Sequence, residues 1–531
     1  MHSSSSLVSR RRLLALTATG VAGAVLAACA APAAPTATPV PAKPAEAPKP
    51  TEAPKPAAEP TKPAAAAAPA PTNTAAPAKP TEAPKPAEPT KPAEAAKPAA
   101  PTATPNPLAN VPVKSGMKAV EWWWPWSGGL TGLQTLANLA TDFNNTHDKF
   151  QVKALPVDGA WGGGKLLTTI AAGNPPSVQT GGVGGDLWLA GGAITLDDYL
   201  KASKVIQLPD IFETNLAGGQ FKGKQYGFPQ IECFLRGQLC VNKALFEQKG
   251  RSAGTLQETP VDLDTLYGWA KDITVLESSG AIKTLGFHPL DAEAEYFGGY
   301  WMAAYGHKFY DDASNKYILD HETMVEMLTT IQKFADIAGA EKLTGFVKAY
   351  GTWTQSPTAM MPSGVEAMNV NGYWAPGELT KSAPGKSFAF GWMPVPASRK
   401  GTKIAQTGGH NSAIPKGAPN ADEGFQIIEY LNTPKAMDIV FDTTGWLGSS
   451  KSYVAKANVG KYPGLDFYTR AAKDATVTFG TIFNPIGGFV GDQWNVAVEA
   501  VNYKKLTPKD AAKQMQSAAD RELKNRFPNG V

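Results

Sequence analysis

No aromatic residue occurs in the first 121 positions of this 531-residue chain, and the 21 Phe, 15 Tyr and 13 Trp all lie at or after Trp122. A segment without aromatics and poor in branched apolar side chains cannot bury a core. The folded body is therefore expected over residues 111–531, enough for two or three domains of roughly 100–200 residues each. Basic charge is also missing from that body. Arg10, Arg11 and Arg12 give residues 1–30 a net +3, and eight Lys against six Glu give residues 31–110 a net +2, which leaves −1 for the rest of a chain whose total is +4. A nucleic-acid binder needs a basic footprint on its fold, so that class is excluded. The six histidines, at positions 2, 147, 288, 307, 321 and 410, form no pair with metal-ligand spacing. No metal or cofactor is expected.

What is present at the N-terminus is an export signal. Three arginines precede a largely apolar run from Leu13 to Ala28, which ends at Cys29. A positive region, an apolar region and small residues before a break describe a leader over residues 1–28. Ser9-Arg10-Arg11-Arg12-Leu13-Leu14 resembles the twin-arginine export motif, and Leu26-Ala27-Ala28-Cys29 resembles the lipobox of bacterial lipoproteins. The second resemblance implies that Cys29 becomes the mature N-terminus and carries lipid on its sulfur. The alternative is an uncleaved signal anchor, since no charge appears from Leu13 to Ala42, although the run is Ala-rich and short for a span. Either reading holds the body at the extracytoplasmic face of the membrane.

Residues 29–110 read as a disordered tether. Residues 31–110 hold 23 of the 45 prolines, with Ala, Lys, Thr and Glu making up most of the remainder. Lys49-Pro50-Thr51-Glu52-Ala53-Pro54-Lys55-Pro56-Ala57 recurs at Lys79 to Ala87. The repeat has no side chain large enough to stack a core, so it is compositional and not a solenoid. Polyproline II at ~3.1 Å per residue would let the segment reach at most ~250 Å.

The body begins as an α/β fold. Met117 to Trp124 is an extended apolar run closed by Pro125. Leu133, Leu136, Ala137, Ala140 and Phe143 then fall at helical spacing, predicting a helix over 131–145. Gln151 to Leu155 alternates as a strand, and Leu166 to Ala172 predicts a helix stopped by Gly173-Asn174-Pro175-Pro176. Strands alternating with helices imply a parallel sheet covered on both faces. Near the C-terminus, Thr507-Pro508-Lys509-Asp510 supplies an N-cap, a first-turn proline and a first-turn acid for a helix whose buried stripe is Ala511, Ala512, Met515 and Ala519.

Catalytic motifs are weak. Gly250-Arg251-Ser252-Ala253-Gly254 fits the nucleophile-elbow pattern, but it follows a helical segment where the motif needs a strand, so Gly250 reads as a helix stop. Gly218 to Gly223-Lys224-Gln225 and Gly159 to Gly164-Lys165-Leu166 nearly fit a phosphate loop, yet both lack the Ser or Thr that binds magnesium. Cys233 and Cys240 are seven residues apart, ~23 Å along a strand, so a disulfide would need a tight bend between them. Buried free thiols are the other reading.

Tryptophan is the positive signal. Many of the 13 lie where Gly, Pro, Asn or Asp break elements, including Trp124, Trp126, Trp161, Trp188, Trp353, Trp374, Trp446 and Trp494. An indole face stacks on the apolar face of a pyranose, while neighbouring polar groups bind its hydroxyls. Any single Trp is better explained by a core, but the clustering at breaks points to a sugar cleft.

The order of segments resembles the family 1 extracellular solute-binding proteins of ABC importers. Ala119-Val120-Glu121-Trp122-Trp123-Trp124 is similar to the first strand of that family. Ile170 to Val178 resembles its "aaGnaPDV" stretch, with Ser177 for the usual Asp. Gly223 to Pro229 resembles "GkvYGlP", and Val241-Asn242-Lys243-Ala244-Leu245-Phe246 resembles "yNkdlF". Ser363 to Met368 with Tyr373-Trp374-Ala375 is similar to "sGkaAM…gsW". Gly408 to Pro415, Tyr430-Leu431 and Thr444-Gly445-Trp446-Leu447 resemble its second-lobe signature.

That resemblance implies a two-lobed, periplasmic-binding-protein-like type II α/β fold with a hinge and an interlobe cleft. One lobe is expected at about 117–230 plus 400–445, the other at about 235–395 plus 447–531. Carried over by motif position, the cleft candidates are Trp124, Trp126, Asp186, Trp188, Glu232, Tyr296, Trp301, Trp374, His410, Asn411 and Trp494. Trp161 and Trp353 join them from the residues alone. Glu232 has a second reading as a hinge ion pair with Arg236. The family binds mono- and oligosaccharides, polyols and related solutes, and the closed receptor docks on a membrane permease. The implied partners are thus a small solute, a permease and the membrane through Cys29, with the receptor a monomer.

Two other classes stay open. A secreted carbohydrate-active enzyme would need two carboxylates across the cleft, and Asp186 and Glu232 are conceivable. A structural or adhesive surface lipoprotein would need no cleft. For the leader, Cys29→Ala is expected to abolish labelling of the chain by radioactive palmitate and to release it from the membrane fraction. Membrane retention with no label in the unaltered protein would instead favour the signal anchor.

Overall fold

A computed structural model describes residues 106–126, 131–157, 164–181, 184–229, 231, 234–292, 299–480 and 484–531. The leader, Cys29 and the tether as far as residue 105 lie outside the described residues. Residues 106–110, expected to belong to the tether, are folded. Asn106 caps a 3-10 turn at Pro107–Asn110, and Leu108 and Val111 pack on the first core. Leu108 is the first large apolar side chain after the Ala/Pro tract, which is why order begins there.

Strand β1 (Ala119–Trp124) puts Val120, Trp122 and Trp124 into one buried face and Trp123 into a separate cluster on the other, as a period of two requires. The helix Gly132–Thr146 buries Leu136, Leu139, Ala140 and Phe143 against the first face. Strands β2 (Gln151–Pro156) and β3 (Val178–Thr180) flank β1 in parallel. A hairpin of β4 (Gln220–Phe221) and β5 (Lys224–Gln225) follows. It turns at Lys222 and Gly223, with φ of 47° and 74°, the left-handed pair a two-residue hairpin needs. The near-match to a phosphate loop is therefore a β-turn. Strand β6 (Gly227–Pro229) ends this part.

The chain then passes through β7 (Leu235–Arg236) into a second sheet of β8 (Gln238–Asn242), β9 (Val275–Leu276), β10 (Ile282–Phe287), β13 (Glu366–Asn371) and β14 (Phe388–Gly391). Between β10 and β13 lies a hairpin of β11 (Tyr310–Asp311) and β12 (Lys316–Tyr317). Every residue of β8 and β13 is buried, the mark of strands covered on both faces. Leu239 and Val241 face a core with the helices Glu322–Ala335, Gly487–Asn502 and Pro508–Arg526, whereas Cys240 lies in the other cluster with Phe390 and Tyr468. The short helix Lys243–Glu247, which Asn242 caps, ends at Gln248, and Gly250, at φ 68°, closes the turn two residues beyond that C-cap.

Strand β15 (Ile404–Thr407) lies between β7 and β17 (Val477–Phe479), and β16 (Asn411–Ala413) returns to the first sheet. The two large sheets read β2-β1-β3-β16-β6 and β14-β8-β13-β10-β9. The expectation of a parallel sheet needs correcting. Within these two sheets only β2-β1-β3 and β10-β13 are parallel, because the returning segments β16, β8 and β14 insert antiparallel, a pairing that needs no crossover helix.

The lobe limits also shift at the third passage. Residues 447–462, expected in the second lobe, are tied to the first. Phe212 N–H donates to Ser449 O at 3.0 Å, Ser450 Oγ donates to Asp210 at 2.5 Å, and Tyr462 OH donates to Phe441 O at 2.9 Å. Packing on β14 resumes with the helix Leu465–Asp474, through Phe390–Tyr468 and Trp392–Phe467 ring contacts at 5.7 Å. At the C-terminal helix Thr507 accepts from Asp510 N–H at 3.1 Å, and Ala511, Ala512, Met515 and Ala519 are buried.

The second lobe buries two carboxyls. Asn369 Nδ2 donates to Asp291 at 2.7 Å and to Glu366 at 3.2 Å. Burial lifts Asp291 to about 6 and Glu366 well above the carboxylate range, because two such groups away from water cannot both ionise. Cys240, a buried unbridged thiol, is pushed up by the same desolvation and then by these acids. Cys233 lies outside the described residues. A carboxyl raised in the folded state stabilises at low pH and loses that contribution as pH rises from the ordinary carboxylate value through about 6. Glu366→Gln keeps a neutral partner without needing a proton. It is expected to flatten the rise in melting temperature on going from neutral to mildly acid pH, measured by calorimetry. An unchanged slope would count against the shared proton.

Candidate ligand-binding cleft

The first lobe contributes the end of β1, the start of the helix Gly185–Leu189 and the start of β16. Trp126 is 8% exposed and packs edge-on to His410 at 5.1 Å and against Trp446 at 5.4 Å. Trp124 lies beneath it, fully buried, with its indole N–H donating to Trp126 O at 3.1 Å. It supports Trp126 and has no face for a ligand, which corrects its placement among the cleft residues. Trp188 stacks at 6.3 Å on Tyr226. Gly227 lets Trp188 and Asn411 approach, since a Cβ there would sit 2.8 Å from Asn411 Cβ and 3.0 Å from Trp188 Cζ2. Only a residue without a side chain fits that gap.

The second lobe contributes the end of β13. Trp374 begins the helix Ala375–Ser382 and lies 6.1 Å from Trp353. The guanidinium of Arg236, from the hinge strand β7, sits 5.2 Å over the Trp374 ring, a cation–π contact. Arg236 pairs in register with Gln406 of β15. Trp446, at the third passage, donates its indole N–H to the buried Glu378 at 3.1 Å, and Thr354 Oγ1 donates to the same carboxylate at 2.5 Å.

Among the described residues the buried polar atoms without a hydrogen-bond partner include Trp188 Nε1, Asn411 Oδ1, Asn371 Nδ2, Trp374 Nε1, Gln406 Oε1 and Thr407 Oγ1 on these elements. A buried polar group without a partner costs roughly 1–3 kcal/mol, so those on elements of both lobes are candidates to meet a polar ligand. Three are N–H donors, two are amide oxygens and one is a hydroxyl, and none carries charge, so the chemistry suits a neutral polyhydroxyl compound. Among the described residues no group of three His, Cys, Asp or Glu could hold a metal.

Asp186 links the lobes directly. Its carboxylate accepts from Gly487 N–H at 2.9 Å and Gly488 N–H at 3.4 Å, at the start of the helix Gly487–Asn502. The residue preceding that helix is Ile486, which has no side-chain acceptor to cap it. The first lobe therefore caps a helix of the second. Burial pushes the Asp186 carboxyl up, and the two N–H groups pull it back.

Trp301 and Trp494 are corrected. Both are fully buried in the core of the second lobe, Trp301 with its N–H donating to Pro289 O at 3.0 Å and Trp494 beside Phe309. Their helix positions gave them large apolar neighbours on all sides. Trp161, Glu232 and Tyr296 lie outside the described residues. Arg236, Tyr226 and Asn371 were not singled out from sequence as ligand contacts. Arg236 and Asn371 belong to strands whose register sets their place, and no local pattern marks them.

The model of the bacterial extracellular solute-binding protein family matches residues 138–466. The chain belongs to that family. Among solved structures, CpMnBP1 with mannobiose bound is 25% identical, with a TM-score of 0.68, over 76% of this chain and 100% of that one. A solute-binding protein from Thermotoga lettingae TMO bound with α-D-tagatose is 18% identical, with a TM-score of 0.62, over 76% and 99%. The maltose/maltodextrin-binding domain MalE from Bdellovibrio bacteriovorus, bound to maltotriose, is 17% identical, with a TM-score of 0.61, over 76% and 100%. The last two likenesses are of fold. No curated protein matches the sequence. This solute-binding protein thus has the two-lobed α/β architecture of its family, and the family is one of extracellular binding proteins.

The Asp186 contact sets an expectation for lobe motion. Asp186→Ala leaves the helix start uncapped, a loss of about 1 kcal/mol, or roughly fivefold in the closed-to-open ratio. Small-angle scattering of the ligand-free variant is expected to show a larger radius of gyration. A curve superimposable on that of the unaltered protein would show that the contact does not bias closure.

Proposed function

We propose that this protein is the receptor of an ABC importer, capturing a carbohydrate or polyol between its lobes and delivering it to a membrane permease. The observation that carries this reading is the set of buried, uncharged polar atoms without a partner on elements of both lobes, Trp188 Nε1, Asn411 Oδ1, Asn371 Nδ2 and Trp374 Nε1. The mannobiose bound in the 25% identical relative supports the same ligand class. Trp126, Asp186, Trp188, Trp353, Trp374, His410 and Asn411 would contact the ligand, joined by Arg236 and Asn371. Indole faces would stack on sugar rings, and Asp186, Asn371 and Asn411 would take hydroxyl hydrogen bonds.

Binding then selects the closed state, because only that state presents both walls to one ligand. In the ligand-free closed form Asp186 caps the helix Gly487–Asn502, so an arriving hydroxyl would share or replace that contact. Lipid on Cys29 and the proline-rich tether would keep the receptor near its permease and raise its effective concentration.

Thermal unfolding of the whole chain against a panel of mono- and oligosaccharides and polyols tests this. At 100 times its dissociation constant a ligand adds about 2.7 kcal/mol, a shift of degrees. A selective shift with the ligand recovered unchanged is expected. No shift with any member would overturn the carbohydrate reading, and consumption of the ligand would replace receptor by enzyme.

A further inference from the structure

The first two passages of the chain between its lobes meet at one side chain. Gln238 opens β8 and is fully buried. Its Nε2 donates to Arg236 O at 3.3 Å, on its own passage, and to Ile404 O at 3.2 Å, on the second. Its Oε1 accepts from Met393 N–H at 3.0 Å, where the second passage leaves β14. Both ends of the amide are therefore bonded to backbone.

Gly237 separates Gln238 from β7, at φ 79°, a conformation that favours glycine. A Cβ there would fall 2.3 Å from Met393 Cε and 2.7 Å from Gln406 Oε1. Strand β7 belongs to the small sheet with β15, and β8 to the second large sheet. A change of φ or ψ at this one residue therefore turns one sheet against the other. Gln406, on β15, pairs in register with Arg236. Its side chain lies against Gly237, and its buried Oε1 has no hydrogen-bond partner. Two buried amides thus lie side by side in opposite conditions, Gln238 bonded at both ends and Gln406 with an empty acceptor. An acceptor left empty away from water costs free energy that a bonded one does not.

We propose that these two glutamines set the resting angle between the lobes in opposite senses. Gln238 binds the first two passages into one joint and holds the lobes in their present contact. The empty acceptor of Gln406 favours their parting, in which Gly237 turns and the oxygen gains a partner. Both are positioning residues. They reach the cleft wall through the backbone, since Gln238 pairs in register with Asn371 of β13 and holds the carbonyl of Arg236, whose guanidinium lies over Trp374. The inference deepens the receptor reading by naming what regulates closure, but its test needs no ligand, so the two can fail separately.

The test is small-angle scattering of the ligand-free full chain, in which the segment before residue 106 is common to every variant. Gln238→Met, of similar volume, removes all three bonds. It is expected to shift the balance about tenfold toward the open state, the size of one net hydrogen bond, read as a larger radius of gyration. Adding Gln406→Met removes the empty acceptor and should bring the radius back toward that of the unaltered protein. A purely structural loss would grow with the second substitution. Near-UV circular dichroism checks the packing of each variant. If Gln238→Met has lost it, Gln238→Glu takes its place, keeping the acceptor for Met393 N–H and removing the donors. A radius unchanged by loss of the Gln238 bonds, or a double variant as open as the single one, would overturn the proposal.

Discussion

Trp446 receives contacts from both lobes at the third passage of the chain between them. Its ring packs on Trp126 from the first sheet, and its N–H goes to Glu378 on the helix Ala375–Ser382, which starts at Trp374. Glu378 is 2% exposed and also takes the Thr354 hydroxyl. A buried carboxylate is tolerated only when its lone pairs are filled, so these donors are fixed together. The same helix meets the end of the helix Pro434–Thr444, where a Cβ on Gly377 would fall 2.0 Å from Thr444 O. This knot holds the indoles of both walls in one relative position, and the cleft takes its shape from it.

Outward from the knot the interlobe contacts become polar and exchangeable. Asp186 caps a helix of the opposite lobe through two backbone N–H groups, and Lys222 donates to Val531 O at 3.2 Å. Such contacts are worth little more than the water they replace. A gradient from fixed apolar packing near the hinge to weak hydrogen bonds at the rim is what a molecule needs if its lobes are to part and close around a solute.

Much of the local structure was legible from sequence. The first strand, the helix after it and the Thr507-capped terminal helix follow from period and capping, which are set by neighbours in the chain. The hairpin at Lys222-Gly223 was not read from sequence, and the helix expected to stop at Gly250 has its C-cap two residues earlier, at Gln248. The mixed sheets were not legible, because β16 pairs with β3 and β6 only after the chain has passed through the other lobe. Tryptophan clustering at breaks pointed to a cleft only as a region. It did not separate Trp126 and Trp374, which meet the interlobe junction, from Trp301 and Trp494, which fill a core. That distinction depends on which face of a helix other elements cover.

The sequence by itself determined that the N-terminal segments lack the means to form a core, that the body is α/β, and that it belongs with the solute-binding proteins. Composition, periodicity and ordered motifs are properties of the chain and need no partner. Tertiary structure decided that Trp301 and Trp494 fill a core, that Arg236 lies over Trp374, and that Asp186 caps a helix 301 residues away in sequence. Each depends on two segments brought together by the burial of others, and the energy of a buried contact belongs to the pair.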